Sequence, residues 1–154
     1  MQKFVIDRSE WLNGRFLSEH QEQEQSCRCF IESRLYDARH EKYCCLGLFL
    51  RDVGHMGDNE IRDYTDPSEM SYTNFNDNNI KLFESLTWTT HFDDNSYYNH
   101  EVNNRALTTK IIVTNDSQII TNKEREVELQ ELFADLGYDL EFVGEYDKAV
   151  CEGV

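Results

Sequence analysis

Proline is almost missing from this chain. Pro67 stands alone among 154 residues, so no rigid proline-rich linker can be built. Cationic residues are scarce: 15 Lys and Arg face 30 Asp and Glu, a net charge of −15. A surface of that sign repels nucleic acid and anionic membrane. Long apolar runs are missing too. No stretch approaches the ~18 apolar residues of a membrane span, and Met1 to Asp7 lacks the apolar core of a signal peptide. There is no Walker sequence, no glycine-rich dinucleotide turn and no serine nucleophile elbow. The expectation is a cytosolic protein with no cofactor, no membrane contact and no direct contact with nucleic acid.

What is present argues for a folded domain. The length fits one domain and allows an adequate core without disulfides. Hydrophobic content is only 39%, but 9 Phe, 8 Tyr and 2 Trp supply large buried area. Fully disordered acidic chains lack such aromatics. The five cysteines (Cys27, Cys29, Cys44, Cys45, Cys151) are an odd number without a secretory signal. Reduced thiols are expected.

The charge falls in blocks. Residues 1–56 hold 9 acids and 8 bases, whereas residues 57–101 hold 10 acids and 2 bases. Residues 102–123 hold 1 acid and 3 bases, and residues 124–154 again hold 10 acids and 2 bases. Two anionic segments therefore flank a nearly neutral scaffold. Such a surface attracts basic protein surfaces.

Residues 2–6 read as a strand. Ser9 offers an N-cap for a short helix through Trp11 and Leu12 that Gly14 ends. Residues 18–26 are polar and read as a loop or frayed helix. Residues 27–36 alternate as a strand, and Asp37 to Lys42 reads as a turn. Residues 43–53 are apolar all round and read as a central buried helix stopped by Gly54. Gly47 within it points to close packing against a neighbour. Residues 55–104 form an acidic, loop-rich region. Within it, a helical turn is expected near Ser68–Met70, and residues 80–88 fit a short helix or the approach to a strand. Residues 106–113 are open between helix and strand, and residues 114–117 read as a turn. The clearest helix starts at a Thr121/Glu124 capping box. It carries Leu129, Leu132, Phe133 and Leu136 on one face and ends at Gly137. Residues 138–143 alternate as a strand.

On that last helix Glu124, Glu128, Glu131 and Asp135 fall at i, i+4, i+7 and i+11. They form one acidic stripe roughly 16 Å long, and Glu126 widens it. One reading is a solvated face that serves solubility. The other is a contact surface for a basic groove. A duplex carries a charge per ~1.7 Å of axis, so mimicry of DNA would need the second acidic segment alongside. That segment contributes Asp93 and Asp94, with Trp88, Phe92, Tyr97 and Tyr98 as aromatic anchors for a partner.

Other constellations are weaker. Cys27-x-Cys29 and Cys44-Cys45 match the usual zinc spacing poorly and read as core thiols. The five histidines (His20, His40, His55, His91, His100) show no metal-binding pair. Asp58 to Glu69 spans a calcium loop, but Arg62 replaces an oxygen ligand and Asp63 the required glycine. Metal ligands and catalytic residues are therefore both read as none.

Arg8-Ser9-Glu10-Trp11-Leu12, followed by Lys42-Tyr43-Cys44-Cys45-Leu46-Gly47, resembles a group of small tailed-phage accessory proteins. The likeness returns at Thr114-Asn115-Asp116, in the Glu/Arg-rich helix after it, and at Leu140-Glu141-Phe142-Val143. The resemblance implies a phage accessory protein in the cytoplasm of a bacterial host. It brings no catalytic residue, and it leaves the Cys44-Cys45 pair as a packing feature.

The combined expectation is a single α+β domain over residues 1–154, a small antiparallel sheet packed against two or three helices. The expected function is non-enzymatic: an acidic phage protein that binds and inhibits a host defence or nucleic-acid-binding protein. An anti-CRISPR or anti-restriction inhibitor, in one form a DNA mimic, is the concrete version, and the basic surface of a host nuclease is the expected partner. Two alternatives stand beside it: a small hydrolase or thiol enzyme using Cys44 or Cys45 with a histidine, and a phage structural or assembly accessory.

Overall fold

Three phenylalanines mark where the layers of this α+β fold meet. Phe4 comes from strand β1 (Gln2–Asp7), Phe49 from helix α1 (Cys45–Asp52) and Phe133 from the long helix Asn122–Leu136. Their ring centroids lie 5.2, 5.2 and 5.4 Å apart. Burial of each such ring contributes about 1.5–3 kcal/mol. The computed structural model describes residues 1–16, 33–62, 64–70, 74–86 and 106–146.

Strands β2 (Tyr36–Asp37) and β3 (Lys42–Tyr43) make a short antiparallel pair, with the Tyr36 and Tyr43 rings 4.7 Å apart. Asp37 shapes the intervening turn by accepting from the backbone N–H groups of Arg39 and His40. After α1 come the one-turn helix α2 (Asp58–Ile61), a 3-10 turn (Pro67–Glu69) and helix α3 (Ile80–Leu86). Residues 106–116 form helix α4. Helix α5 (Asn122–Leu136) and strand β4 (Tyr138–Val143) complete the described order.

The antiparallel expectation holds for β2 and β3 but not for the longer ladder. β1 and β4 run parallel, with Phe4 opposite Leu140 and Ile6 opposite Phe142. Parallel neighbours require a long crossover, and here the chain between the first and last described strands supplies it. Gly137 makes the final approach. Its φ of 101° ends α5 in the left-handed region and turns the chain into β4. One face of the ladder packs inward through Phe4, Ile6 and Leu140. The other is exposed and carries a 2.8 Å Lys3–Glu141 ion pair.

Several local expectations change. Asp7, not Ser9, caps the first turn: its Oδ1 accepts from the Ser9 N–H, the turn covers Arg8–Glu10 alone, and Gly14 does not end a helix but belongs to a separate helical stretch at residues 14–16. Trp11 then leaves the turn in extended form and bridges Tyr43. Residues 27–32 lie outside the described residues, and of the predicted 27–36 strand only Tyr36 belongs to β2. Residues 114–116 are the last residues of α4, not a turn. Gly47 does permit close packing. A Cβ there would lie 1.7 Å from the Leu35 carbonyl oxygen, so α1 rests directly on that backbone.

Candidate functional site

Two places concentrate polar chemistry. The first is buried. Asn115, at the end of α4, is the hub. The Trp11 indole N–H donates to its Oδ1 at 2.7 Å and the Cys45 backbone N–H at 3.1 Å. Both are obligate donors, so the orientation of the amide is settled. Its Nδ2 donates to Leu12 O, Ser33 Oγ and Asp116 Oδ1 at 2.9–3.0 Å. The Ser33 hydroxyl in turn donates to Asp116 Oδ1. Trp11, Cys45 and Asn115 are each 1% exposed. Trp11, Leu12, Ser33, Cys45, Asn115 and Asp116, drawn from four separate stretches of the chain, thus converge on one hydrogen-bonded knot. Its geometry joins α1, α4 and the N-terminal segment.

Cys44 and Cys45 belong to this knot with different roles. Cys44 Sγ accepts from the Gly47 N–H at 3.4 Å and caps α1. Cys45 is core. Burial pushes the Cys44 thiol up to about 12, with Asp116 adding to the shift. Burial and the neighbouring Cys44 drive Cys45 upward too. A nucleophilic cysteine needs the opposite, a depressed pKa and access. Neither thiol is therefore expected to react with iodoacetamide in the native protein, while both react in urea. Mass spectrometry of the alkylated chain checks this, and rapid native labelling of either residue overturns it.

The second place is the outer face of α5. Asn122, Arg125, Leu129 and Phe133 form its buried seam, and Leu132 and Leu136 pack partly beneath it. Glu124, Glu128, Glu131 and Asp135 are all exposed, as the spacing predicts. They are not equivalent. Glu124 closes the capping box, accepting from the Thr121 N–H at 3.1 Å while its own N–H donates to Thr121 Oγ1. The Thr121 backbone bond holds the Glu124 carboxyl below its ordinary range. Glu128 accepts from Thr114 Oγ1 at 3.4 Å. Among the described residues Glu131 and Asp135 make no side-chain hydrogen bond or ion pair.

Glu126 does not widen the stripe. It turns inward, takes both Arg8 Nε and Nη2 at 2.8 Å, and accepts from the Tyr146 hydroxyl at 2.6 Å. Burial, then Glu126, pushes the Tyr146 hydroxyl upward. Arg125 is wholly buried, and from there its charge still acts on Glu128.

The second acidic block is placed only in part. Asp93, Asp94, Trp88, Phe92, Tyr97 and Tyr98 lie outside the described residues. Four of the described acids of this block are engaged in hydrogen bonds, three of them in local turns. Asp58 accepts from the Tyr43 hydroxyl, Glu60 from the Gly57 N–H, Asp66 from the Ser68 N–H and Glu69 from the Thr65 N–H. Sequence reasoning overlooked Asp139 and Glu141 as exposed acids, although the alternation of residues 138–143 already turned them to one side. Glu141 is paired with Lys3.

Among the described residues no group of three or more His, Cys, Asp or Glu side chains could hold a metal ion. No described helix is long and apolar enough to cross a membrane. His40 is engaged with Asp37 at 3.1 Å, His55 is exposed, and His20, His91 and His100 lie outside the described residues. No family model, curated protein or solved structure matches the chain.

Proposed function

We propose that this protein is a non-enzymatic binding protein that docks a basic surface of a host protein onto the outer face of α5. The observation that carries the reading is the state of Glu128, Glu131 and Asp135. They are exposed on one stripe of a helix fastened at both ends, and two of them have no side-chain partner among the described residues. Rigid presentation lowers the ordering cost of binding. A net charge of −15 speeds encounter with a cationic partner. The likeness to tailed-phage proteins supports a bacterial host, and a nuclease or another nucleic-acid-handling defence complex as the owner of the basic surface. The protein then acts as an anti-CRISPR or anti-restriction inhibitor. Successive carboxylates along the stripe rise by about 4.5–6 Å, sparser than duplex phosphate at ~1.7 Å per charge. The reading is therefore electrostatic docking on a protein, not replacement of a duplex by this helix.

The test removes three charges and leaves the cap intact. A Glu128→Gln, Glu131→Gln, Asp135→Asn variant should fold with unchanged stability. It should bind a basic partner recovered from bacterial lysate about tenfold more weakly, since three screened contacts of about 0.5 kcal/mol each give that factor. The complex should also dissociate at high salt. Equal binding by wild type and variant removes α5 as the contact.

A further inference from the structure

The first turn of α5 abuts two other segments. A Cβ on Gly14 would lie 2.1 Å from Ser117 O and 2.3 Å from Asp116 O, so the Asn13–Gly14 backbone touches the end of α4. Asn122 and Arg125 point into the same region and are 2% and 0% exposed.

The hydrogen bonds fix which atoms face inward. Asn13 Oδ1 accepts from the Arg15 and Phe16 backbone N–H groups at 3.0 and 3.1 Å. Backbone N–H groups only donate, so the oxygen assignment of Asn13 is settled. Its Nδ2 therefore faces Asn122 and donates to Asn122 Oδ1 at 3.3 Å. Asn122 Nδ2 is left as a buried donor without an acceptor among the described residues. Arg125 spends Nη1 on Thr114 O and Asn115 O and Nη2 on Ile120 O, and its Nε is likewise without an acceptor among the described residues. Gln118 Nε2 is a third such donor. The unmatched side-chain groups here are all donors. Asn122 and Arg125 are i, i+3 neighbours, with Cβ atoms about 5–6 Å apart on one helix face. Buried donors are costly unless matched.

We propose that Asn122 Nδ2 and Arg125 Nε share one buried single-atom hydrogen-bond acceptor, a water oxygen or a halide ion, at the junction of α4, α5 and the Asn13 turn. The positive end of α5 and the guanidinium favour an electron-rich atom there. Burial lowers Arg125 to about 10, so it stays a charged donor at neutral pH. The Asp116 carboxylate, close enough to act on Arg125, opposes an anion and favours water. One water accepts two hydrogen bonds, which matches the two fixed donors.

The test is a crystal structure of the full chain grown in bromide, with data collected at the bromine absorption edge. A density peak within hydrogen-bond distance of both Asn122 Nδ2 and Arg125 Nε is expected. An anomalous signal identifies a halide, and its absence at that peak identifies water. In Asn122→Asp a carboxylate oxygen faces Arg125 Nε instead, and the peak should disappear. Glu131→Gln, far from the junction, should keep it. Wild-type density that shows both nitrogens bonded to protein atoms, with nothing between them, overturns the proposal whether or not the variant folds.

Discussion

Arg125→Ala is expected to lower the unfolding free energy by about 3–5 kcal/mol, the upper range for a single substitution. The last carbonyls of a helix have no partner inside it. In α4 those of Thr114 and Asn115 accept instead from Arg125 Nη1 at 2.6 and 3.0 Å, and Ile120 O accepts from Nη2 at 3.4 Å. Truncation leaves buried carbonyls unmatched and opens a cavity where a wholly buried side chain stood. Lysine carries the charge but not the planar fork, so Arg125→Lys should fall between wild type and alanine. Urea unfolding followed by the fluorescence of buried Trp11 measures all three. A loss below about 1 kcal/mol in the alanine variant would show that the carbonyls find other donors.

Asn115 should be almost as sensitive, and its aspartate variant more revealing. Asn115→Ala breaks the bonds to Trp11, Cys45, Leu12, Ser33 and Asp116 together. A loss of about 3–4 kcal/mol follows if two or three buried groups stay unmatched. Asn115→Asp keeps the shape and the acceptor for Trp11 and Cys45. It replaces the Nδ2 donor by an oxygen facing Leu12 O and the Asp116 carboxylate. Two carboxylates at that distance repel, and the pair resists full ionisation. The aspartate variant should thus be at least as unstable as the alanine variant at neutral pH. The sign of its pH dependence follows. Its folded-state carboxyl pKa lies above the unfolded value, so the unfavourable term is present at high pH and fades as pH falls and one proton returns a donor. The gap to wild type should narrow toward about pH 4, near the unperturbed carboxyl range, whereas Asn115→Ala should show no such recovery. Parallel pH curves for the two variants would refute the assigned amide orientation.

These expectations rest on residues whose importance was only partly legible. The patterns of Trp11, Cys44-Cys45-Leu46-Gly47 and Thr114-Asn115-Asp116 stand out in the sequence, yet nothing there says that they meet. Asn115 lies 104 positions from Trp11 and 70 from Cys45, and hydrogen bonds across such separations leave no periodic trace. Residues 114–116 illustrate the same limit. Asn and Asp favour turns by bonding to their own backbone, but here both side chains bond to distant segments and the backbone stays helical. On α5 the local signals sufficed for the start, the seam and the stop. They could not tell that Glu126 turns toward Arg8 while Glu128 stays outside.

The sequence by itself determined the local elements. Capping chemistry placed α5 between Thr121 and Gly137, alternation placed β4, residues 2–6 already read as the strand β1, and an unbroken apolar run placed α1. These follow from spacing along one chain, where the physics is short-range. It also determined the sign and the blocks of charge. Only the tertiary structure decided that β1 and β4 run parallel, because side-chain alternation is blind to strand direction. Only the tertiary structure separated the acids that cap turns or pair with Arg8 from those left on the surface. The reason is common to both: direction and pairing depend on which distant atoms come within about 3 Å of one another, and that is settled when the layers pack.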